Sequence, residues 1–174
     1  MPDNSNPKLV SLIYAVSGSS QKTTGGSRLG AYSGILMSDQ FDESVEIGSD
    51  SSYLNGPSEA NVPAIISAVD ALAEQLLETE GTILVVKNDQ QYMIDYLNES
   101  PEDRQKRNYR KRKGKGFMAD GPQWQKLDDK LLEMGIRTKG QKLSEFGDPA
   151  IYESCLDDSR RRANKIFASI KAET

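Results

Sequence analysis

The stretch KLVSLIYAVSGSSQKTTGGSRLGAYSGIL, residues 8–36, decides the fold of this chain. Two of its segments, 8–15 and 29–37, are rich in apolar, β-branched and aromatic residues, which favour strands. The Gly, Ser and Thr residues of 17–27 separate them and predict a loop. Residues 44–49 alternate apolar and polar side chains, which is typical of a strand with one buried face. The sequence therefore begins with a predicted antiparallel meander of three strands.

Helical and strand patterns alternate in the rest of the chain. Residues 64–77 repeat apolar side chains at the 3.6-residue period of a helix, and 82–86 are fully apolar, as in a strand buried on both faces. Three strands followed by alternating units predict an α/β domain with a mixed five-stranded sheet flanked by helices. We expect 1–7 to be a disordered lead-in and 8–174 to be one domain. The remaining predicted elements are helices over 88–97, 122–134 and about 150–171, and a short strand within 136–143.

The composition excludes several kinds of chemistry. The 174 residues include no histidine and one cysteine, Cys155, so neither a Ser-His-Asp triad nor a histidine zinc site nor an internal disulfide exists within the chain. No apolar run approaches the roughly 18–20 residues of a membrane span. The polar N-terminus lacks the apolar stretch of a secretory signal. We expect a cytoplasmic protein without a membrane partner.

The net charge of −4 conceals a strongly basic segment. Residues 104–115 contain eight basic residues and no acidic one, so this segment carries +8 and the rest of the chain carries −12. Such a block localises the attraction for polyanions, which predicts nucleic acid as its partner. An acidic protein surface and a solvated loop are the alternatives. The basic residues are Arg104, Lys106, Arg107, Arg110, Lys111, Arg112, Lys113 and Lys115.

Trp124 follows the basic segment and has two interpretations. Stacking on a nucleic-acid base would add it to the binding residues. Its helical spacing with Leu127 and Leu131 favours packing in the core instead.

The order of these elements, together with several segments, resembles the ribonuclease H type 1 family. In that comparison Tyr32 takes the aromatic position of the second strand and Asp89 takes the aspartate of a strand-to-helix Asp-Ser-Gln-Tyr motif. The basic segment, 104–116, resembles the protrusion that bacterial members use to grip hybrid duplexes, and we call it the handle. The resemblance implies the RNase H-like three-layer fold over about residues 8–170. The segments that carry it are LGAYSGIL (29–36), AIISAVDAL (64–72), NDQQY (88–92) and WQKLD (124–128).

The resemblance also implies a catalytic centre of four acidic residues around two Mg²⁺ ions, most of which this chain lacks. Asp89 keeps the third acidic position. Val16 or Ser17 falls at the first position and Asn61 at the second, with Glu59 two residues away. A β-branched apolar side chain and an amide do not replace two carboxylates as magnesium ligands.

The fourth acidic position falls at the start of the last helix. The simplest alignment places Leu156 there, and a slip of one residue supplies Asp157. Asp89 and Asp157 are thus the candidate catalytic and metal-binding residues if the centre is active.

These observations lead to one interpretation and two alternatives. We expect a non-catalytic RNase H-like protein without a cofactor that binds RNA or an RNA–DNA hybrid through its handle. The first alternative is an active, magnesium-dependent ribonuclease H with a rearranged set of carboxylates. The second is an adaptor or inhibitor that binds a nuclease or a ribosome-associated protein.

Overall fold

A five-stranded mixed sheet forms the centre of the protein. The computed structural model describes residues 8–49, 56–111, 116, 118, 120–144 and 147–173, so the lead-in predicted over 1–7 lies outside the described residues. The strand order is β3-β2-β1-β4-β5. β1 pairs antiparallel with β2, and β2 with β3, while β1 with β4 and β4 with β5 are parallel. The predicted mixed sheet is confirmed, and its strands are β1 Lys8–Lys22, β2 Arg28–Met37, β3 Val45–Gly48, β4 Thr82–Asn88 and β5 Arg137–Lys142.

Helices cover both faces of the sheet. α1 and α4 pack on one face, and α5 crosses β1 and β2 on the other. Because side chains alternate along a strand, Val10, Leu12 and Tyr14 of β1 enter the core under α1. The helices are α1 Asn61–Gln75, α2 Gln91–Leu97, α3 Pro101–Lys106, α4 Gly121–Met134 and α5 Asp148–Glu173, and a short 3-10 helix, Pro57–Ala60, precedes α1.

β1 is longer than the sequence predicts. The loop expected over 17–27 is a strand as far as Lys22, which pairs with Arg28 across a narrow turn. Small polar residues persist in this strand because their groups find partners: the Ser19 hydroxyl accepts from the Leu29 amide at 3.0 Å, and the Ser20 amide donates to Asn164 of α5 at 2.7 Å. The β1–β2 hairpin, 17–31, therefore projects beyond the part of the sheet that β4 pairs with.

The first part of the basic segment is helical. Pro101 opens α3, and the Ser100 hydroxyl caps it by accepting from the Asp103 amide at 3.1 Å. This Ser-Pro start is the usual signal for a helix N-terminus. Arg104 and Lys106 therefore belong to a helix, whereas the rest of the handle follows it. The continuous run of cations in the sequence gives no sign of this boundary.

Two further features follow from the helices. Trp124, Leu127 and Leu131 of α4 are at most 1% exposed, which confirms the prediction of core packing from their spacing. Among the described residues, none of the helices combines the length and apolar composition that a bilayer crossing requires.

Candidate functional site

A buried, uncharged hydrogen-bond network lies where the carboxyl ends of β1 and β4 meet the start of α1. The Tyr14 hydroxyl donates to Oδ1 of Asn61 at 2.7 Å, and both residues are at most 1% exposed. Nδ2 of Asn61 donates in turn to the Tyr92 hydroxyl at 2.9 Å and to Oε1 of Gln90 at 3.2 Å. We call these four residues, together with Asn88, the Tyr14 pocket.

Asn88 fixes the floor of this pocket. Its side-chain amide donates to the Tyr14 carbonyl at 3.0 Å, and its Oδ1 accepts from the Gln90 amide at 2.9 Å. Asn88 ends β4, so one side chain ties β4 to β1 and shapes the turn into α2. The position of Tyr92, at the pocket mouth and 42% exposed, depends on this turn.

The hydroxyl groups around the pocket remain protonated at neutral pH. Burial, followed by the nearby Tyr92 and Asp89, raises the pKa of Tyr14 well above its ordinary value. Burial and the adjacent Asp89 raise the pKa of Tyr152 to about 12. Both phenols are therefore neutral hydrogen-bond donors and do not serve as anionic bases.

The two candidate catalytic carboxylates occupy different places. Asp89 is exposed and lies close enough to Tyr152 of α5 to raise the pKa of its phenol. Asp157 is also exposed and forms an ion pair with Arg160 at 3.5 Å. Since Asp157 follows Tyr152 by five residues, it lies about 7.5 Å further along the helix axis. Asp89 and Asp157 thus have different polar neighbours, Tyr152 and Arg160.

The residue of β1 that faces Asn61 is Tyr14, which the sequence interpretation missed. Val16, aligned there with the first acidic position, is half-buried and packs against the core. The overlooked signal is chemical: a tyrosine on the core-facing side of a buried strand needs a partner for its hydroxyl, and an amide at the start of α1 supplies one.

The oxygen donors present do not fit a pair of magnesium ions. Among the described residues, no group of three or more acidic, histidine or cysteine side chains is placed to hold a metal ion. The Tyr14 pocket offers a phenol and amides, whereas Mg²⁺ in proteins takes carboxylates and phosphate oxygens. Glu59 and Asp120 lie near the mouth, where burial first and Glu59 second raise the pKa of Asp120. The like charge of Glu59 thus adds to the larger effect of burial on Asp120.

Arg104, the first basic residue of the handle, is completely buried. Its guanidinium forms a two-pronged ion pair with Asp128, with a shortest distance of 2.6 Å, and also donates to the carbonyls of Glu99 and Tyr96. It lies 4.9 Å from the ring centre of Trp124. The expectation that Arg104 and Trp124 contact nucleic acid is therefore corrected: both side chains anchor the base of the handle inside the protein.

Aromatic rings connect this anchor to the Tyr14 pocket. The rings of Tyr92 and Tyr96 meet edge to face at 6.3 Å, and those of Tyr96 and Trp124 at 5.7 Å. Trp124 carries the Arg104 guanidinium on its ring. A continuous path of packed side chains thus runs from Asn61 to the handle.

Backbone hydrogen bonds join the described residues on either side of the centre of the handle. The Lys111 amide donates to the Gly116 carbonyl at 3.0 Å, and the Met118 amide donates to Tyr109 at 2.7 Å. Arg107 forms an ion pair with Glu99, which holds its side chain at the base of the handle. Lys106, Arg110 and Lys111 are exposed. Arg112, Lys113 and Lys115 lie outside the described residues, so their expected role stays a prediction.

A search with models of protein families finds no match, and neither does a search of curated proteins. Solved structures do match. LC9-RNase H1, a type 1 RNase H with the type 2 active-site motif, aligns with a TM-score of 0.63 at 14% identity, over 94% of this chain and 75% of that one. The PFV RNase H domain aligns with a TM-score of 0.63 at 11% identity, over 90% of this chain and 96% of that one.

A third similar structure was solved with nucleic acid. LC11-RNase H1 in complex with an RNA/DNA hybrid aligns with a TM-score of 0.54 at 11% identity, over 88% of this chain and 98% of that one. At these identities the similarity establishes the fold alone. This chain has an RNase H-like fold with the sheet order described above.

Proposed function

We propose that this protein binds structured nucleic acid, either RNA or an RNA–DNA hybrid, through its handle and does not cleave it. The observation that carries the proposal is the Tyr14 pocket, in which Tyr14, Asn61 and Tyr92 form an uncharged network. In an RNase H-like fold, this network lies beside an anchored basic protrusion.

An uncharged pocket favours binding without a metal ion. Clustered carboxylates repel a phosphate backbone unless cations neutralise them. Amide and phenol groups, in contrast, donate to phosphate oxygens or sugar hydroxyls at no such electrostatic cost. Tyr92, partly exposed at the mouth, is placed to make such a contact.

The handle supplies attraction that does not depend on sequence. Apart from the buried Arg104, the cations of the handle belong to an otherwise acidic chain, so we expect phosphate contacts to concentrate there. A-form duplexes are recognised by shape, by phosphates and by 2′-hydroxyls, none of which requires catalytic carboxylates. The complex of the structurally similar LC11-RNase H1 with an RNA/DNA hybrid suggests which duplex to test first.

The test combines binding and cleavage of one labelled RNA–DNA hybrid. We expect the protein to bind it in EDTA, with an affinity that falls steeply as salt rises, and to leave it intact in Mg²⁺ or Mn²⁺. Turnover that Asp89→Asn abolishes would replace this proposal with the active, rearranged enzyme.

Four cations of the handle provide the binding variant. Replacing Arg110, Lys111, Arg112 and Lys113 with Gln leaves the buried Arg104 anchor intact and is expected to weaken hybrid binding at low salt by at least about 100-fold. The matched control replaces four exposed cations of α4 and β5 with Gln: Lys126, Arg137, Lys139 and Lys142. Equal losses in the two variants would show that net charge, not the handle, controls binding.

A further inference from the structure

We propose that the β1–β2 hairpin and the second half of α5 form a second surface that contacts the nucleic-acid backbone. We call residues 17–31 and 157–170 together the hairpin–α5 surface. This inference rests on the proposed function for its class of ligand, but it uses none of the residues of the handle or the Tyr14 pocket.

Charge is distributed along the chain in a way that singles out this surface. Residues 17–31 contain two cations and no acidic residue, and residues 157–170 contain four cations and two acidic residues. The surface therefore carries +4. Because the handle carries +8 and the whole chain −4, all remaining residues together carry −16. The handle and this surface together hold 14 of the 22 basic residues of an acidic protein, and such concentration of cations localises the binding of a polyanion.

Contacts between the hairpin and α5 hold the two parts in one fixed surface. The Ser20 amide and hydroxyl lie 2.7 and 3.0 Å from Oδ1 of Asn164. The Ser159 hydroxyl donates to that of Ser17 at 2.8 Å, and both are buried. A second hydrophobic cluster, formed by Leu29, Ala31, Ala163 and Ile166, lies between hairpin and helix.

The cations of this surface are available to an incoming phosphate. The side chains of Arg160 and Arg161 are 57% and 72% exposed. Their ion pairs with Asp157 and Asp158, at 3.5 and 3.3 Å, are solvent-exposed and of the kind that contributes little free energy, so they exchange readily for a phosphate. Lys22 and Lys165 are exposed as well.

Two different paths of contacts lead from the Tyr14 pocket, one to the hairpin–α5 surface and the other to the handle. The hairpin packs closely on the segment before α1: a Cβ atom on Gly30 would lie 2.1 Å from the Gly56 carbonyl oxygen. The 3-10 helix then leads directly into Asn61. From Asn61, the rings of Tyr92 and Tyr96 lead to the handle. The pocket is thus linked by direct contacts both to the hairpin and to the base of the handle.

The test is a salt titration of binding to a hybrid of about three helical turns, ~30 base pairs. The variant replaces Lys22, Arg160, Arg161 and Lys165 with Gln and spares Arg28, whose guanidinium donates to the carbonyls of Ser19 and Ser20 at 2.7 Å. The control is the α4 and β5 variant defined above, which removes the same charge. Each lost phosphate contact lowers the slope of log affinity against log salt by about 0.9.

We expect the hairpin–α5 variant to lose at least about 30-fold in affinity at low salt and about two units of slope. The control should change affinity by less than about 3-fold. A hairpin–α5 variant indistinguishable from the control overturns the second surface, whatever the handle variant does. An effect of the hairpin–α5 variant without any effect of the handle variant overturns the handle as the binding element and leaves the second surface standing.

A stability measurement and one further outcome of the binding assay complete the design. Urea unfolding should show the same midpoint for both variants, because the replaced side chains are exposed. An acidic protein as the true ligand of this surface would appear as unchanged hybrid binding in the hairpin–α5 variant, which rejects the nucleic-acid assignment.

Discussion

At the scale of single residues, the chemistry of this protein depends on the partners that Tyr14 and Arg104 find inside it. Each is a polar group placed in a nearly anhydrous environment, where an unsatisfied donor is costly. Tyr14 is satisfied by Asn61 and Arg104 by Asp128. One pair shapes the pocket and the other anchors the handle.

Tyr14→Phe tests the first pair. The change removes the hydroxyl and leaves Oδ1 of the buried Asn61 without this donor. We expect the free energy of unfolding to fall by about 1–3 kcal/mol. Urea denaturation measures it, with Tyr32→Phe as the control, because Tyr32 lies half-buried on the neighbouring strand. Equal stability of the two variants would contradict a role for the hydrogen bond.

Asp128→Asn tests the second pair. An uncompensated guanidinium would then remain in the interior, and we expect a loss of about 3–5 kcal/mol in the free energy of unfolding. Asp129→Asn, which removes an exposed carboxylate on the same helix, should cost less than about 0.5 kcal/mol. Arg104→Met combined with Asp128→Leu should restore part of the loss, since it removes both charges. A double variant no more stable than Asp128→Asn would show that the cost is not electrostatic.

Neither pair could be read from local sequence. Tyr14 and Asn61 are 47 residues apart, and Arg104 and Asp128 are 24 residues apart. In a run of cations, Arg104 has no local mark that distinguishes it from its exposed neighbours. The spacing of Trp124, in contrast, is helical and local, and it predicted burial correctly.

At the scale of elements, α5 depends on carboxylates that are ionised in the folded protein. Asp158 accepts from the Ser33 hydroxyl of β2 and from Arg162, both at 2.7 Å. Burial raises the pKa of Asp158, but these hydrogen bonds outweigh burial and hold the pKa below its ordinary value. Asp148, at the start of α5, behaves alike: hydrogen bonds from Ser144 and the charge of Lys87 outweigh burial and lower its pKa.

These pKa shifts determine how the free energy of unfolding changes at acidic pH. A carboxyl with a lower pKa in the folded than in the unfolded state stabilises above its unfolded pKa of about 3.9, and that stability is lost as the pH falls through the folded pKa. We expect the free energy of unfolding to fall below about pH 4, and Asp158→Asn to make that fall shallower. Denaturation at a series of pH values measures both, and the exposed Asp157→Asn should keep the original slope. Identical slopes in wild type and Asp158→Asn would contradict this account.

The elements themselves were largely predictable, because periodicity and turn residues are local signals. The meander, the buried β4 and the four longer predicted helices all appear in the structure. The end of β1 was not predictable, since the Ser20 amide finds its partner, Asn164, 144 residues away. A run of Ser and Gly residues has the composition of a loop until such a distant partner is known.

At the scale of the whole molecule, the donor set of the Tyr14 pocket predicts how the protein responds to magnesium. A ligand that binds only the folded state raises its stability by mass action. We expect no resolvable rise in melting temperature between EDTA and about 10 mM Mg²⁺, because phenol and amide groups do not retain the ion at that concentration. Differential scanning fluorimetry measures the melting temperature. The control is a buffer with EDTA in which NaCl supplies the same ionic strength as the Mg²⁺ salt. A rise of several degrees would point to the rearranged, metal-dependent enzyme.

The position of α5 at the far end of the chain has a consequence for synthesis. The hairpin that this helix covers is translated first, and Ser159 emerges 142 residues after Ser17, its hydrogen-bond partner. At about 5–20 residues per second, the apolar face of Leu29 and Ala31 waits roughly 7 to 30 seconds for its cover. During that interval the nascent chain exposes an apolar face of the sheet to which other chains bind readily. Chaperone demand should therefore be greatest between the translation of the hairpin and the emergence of α5 from the exit tunnel.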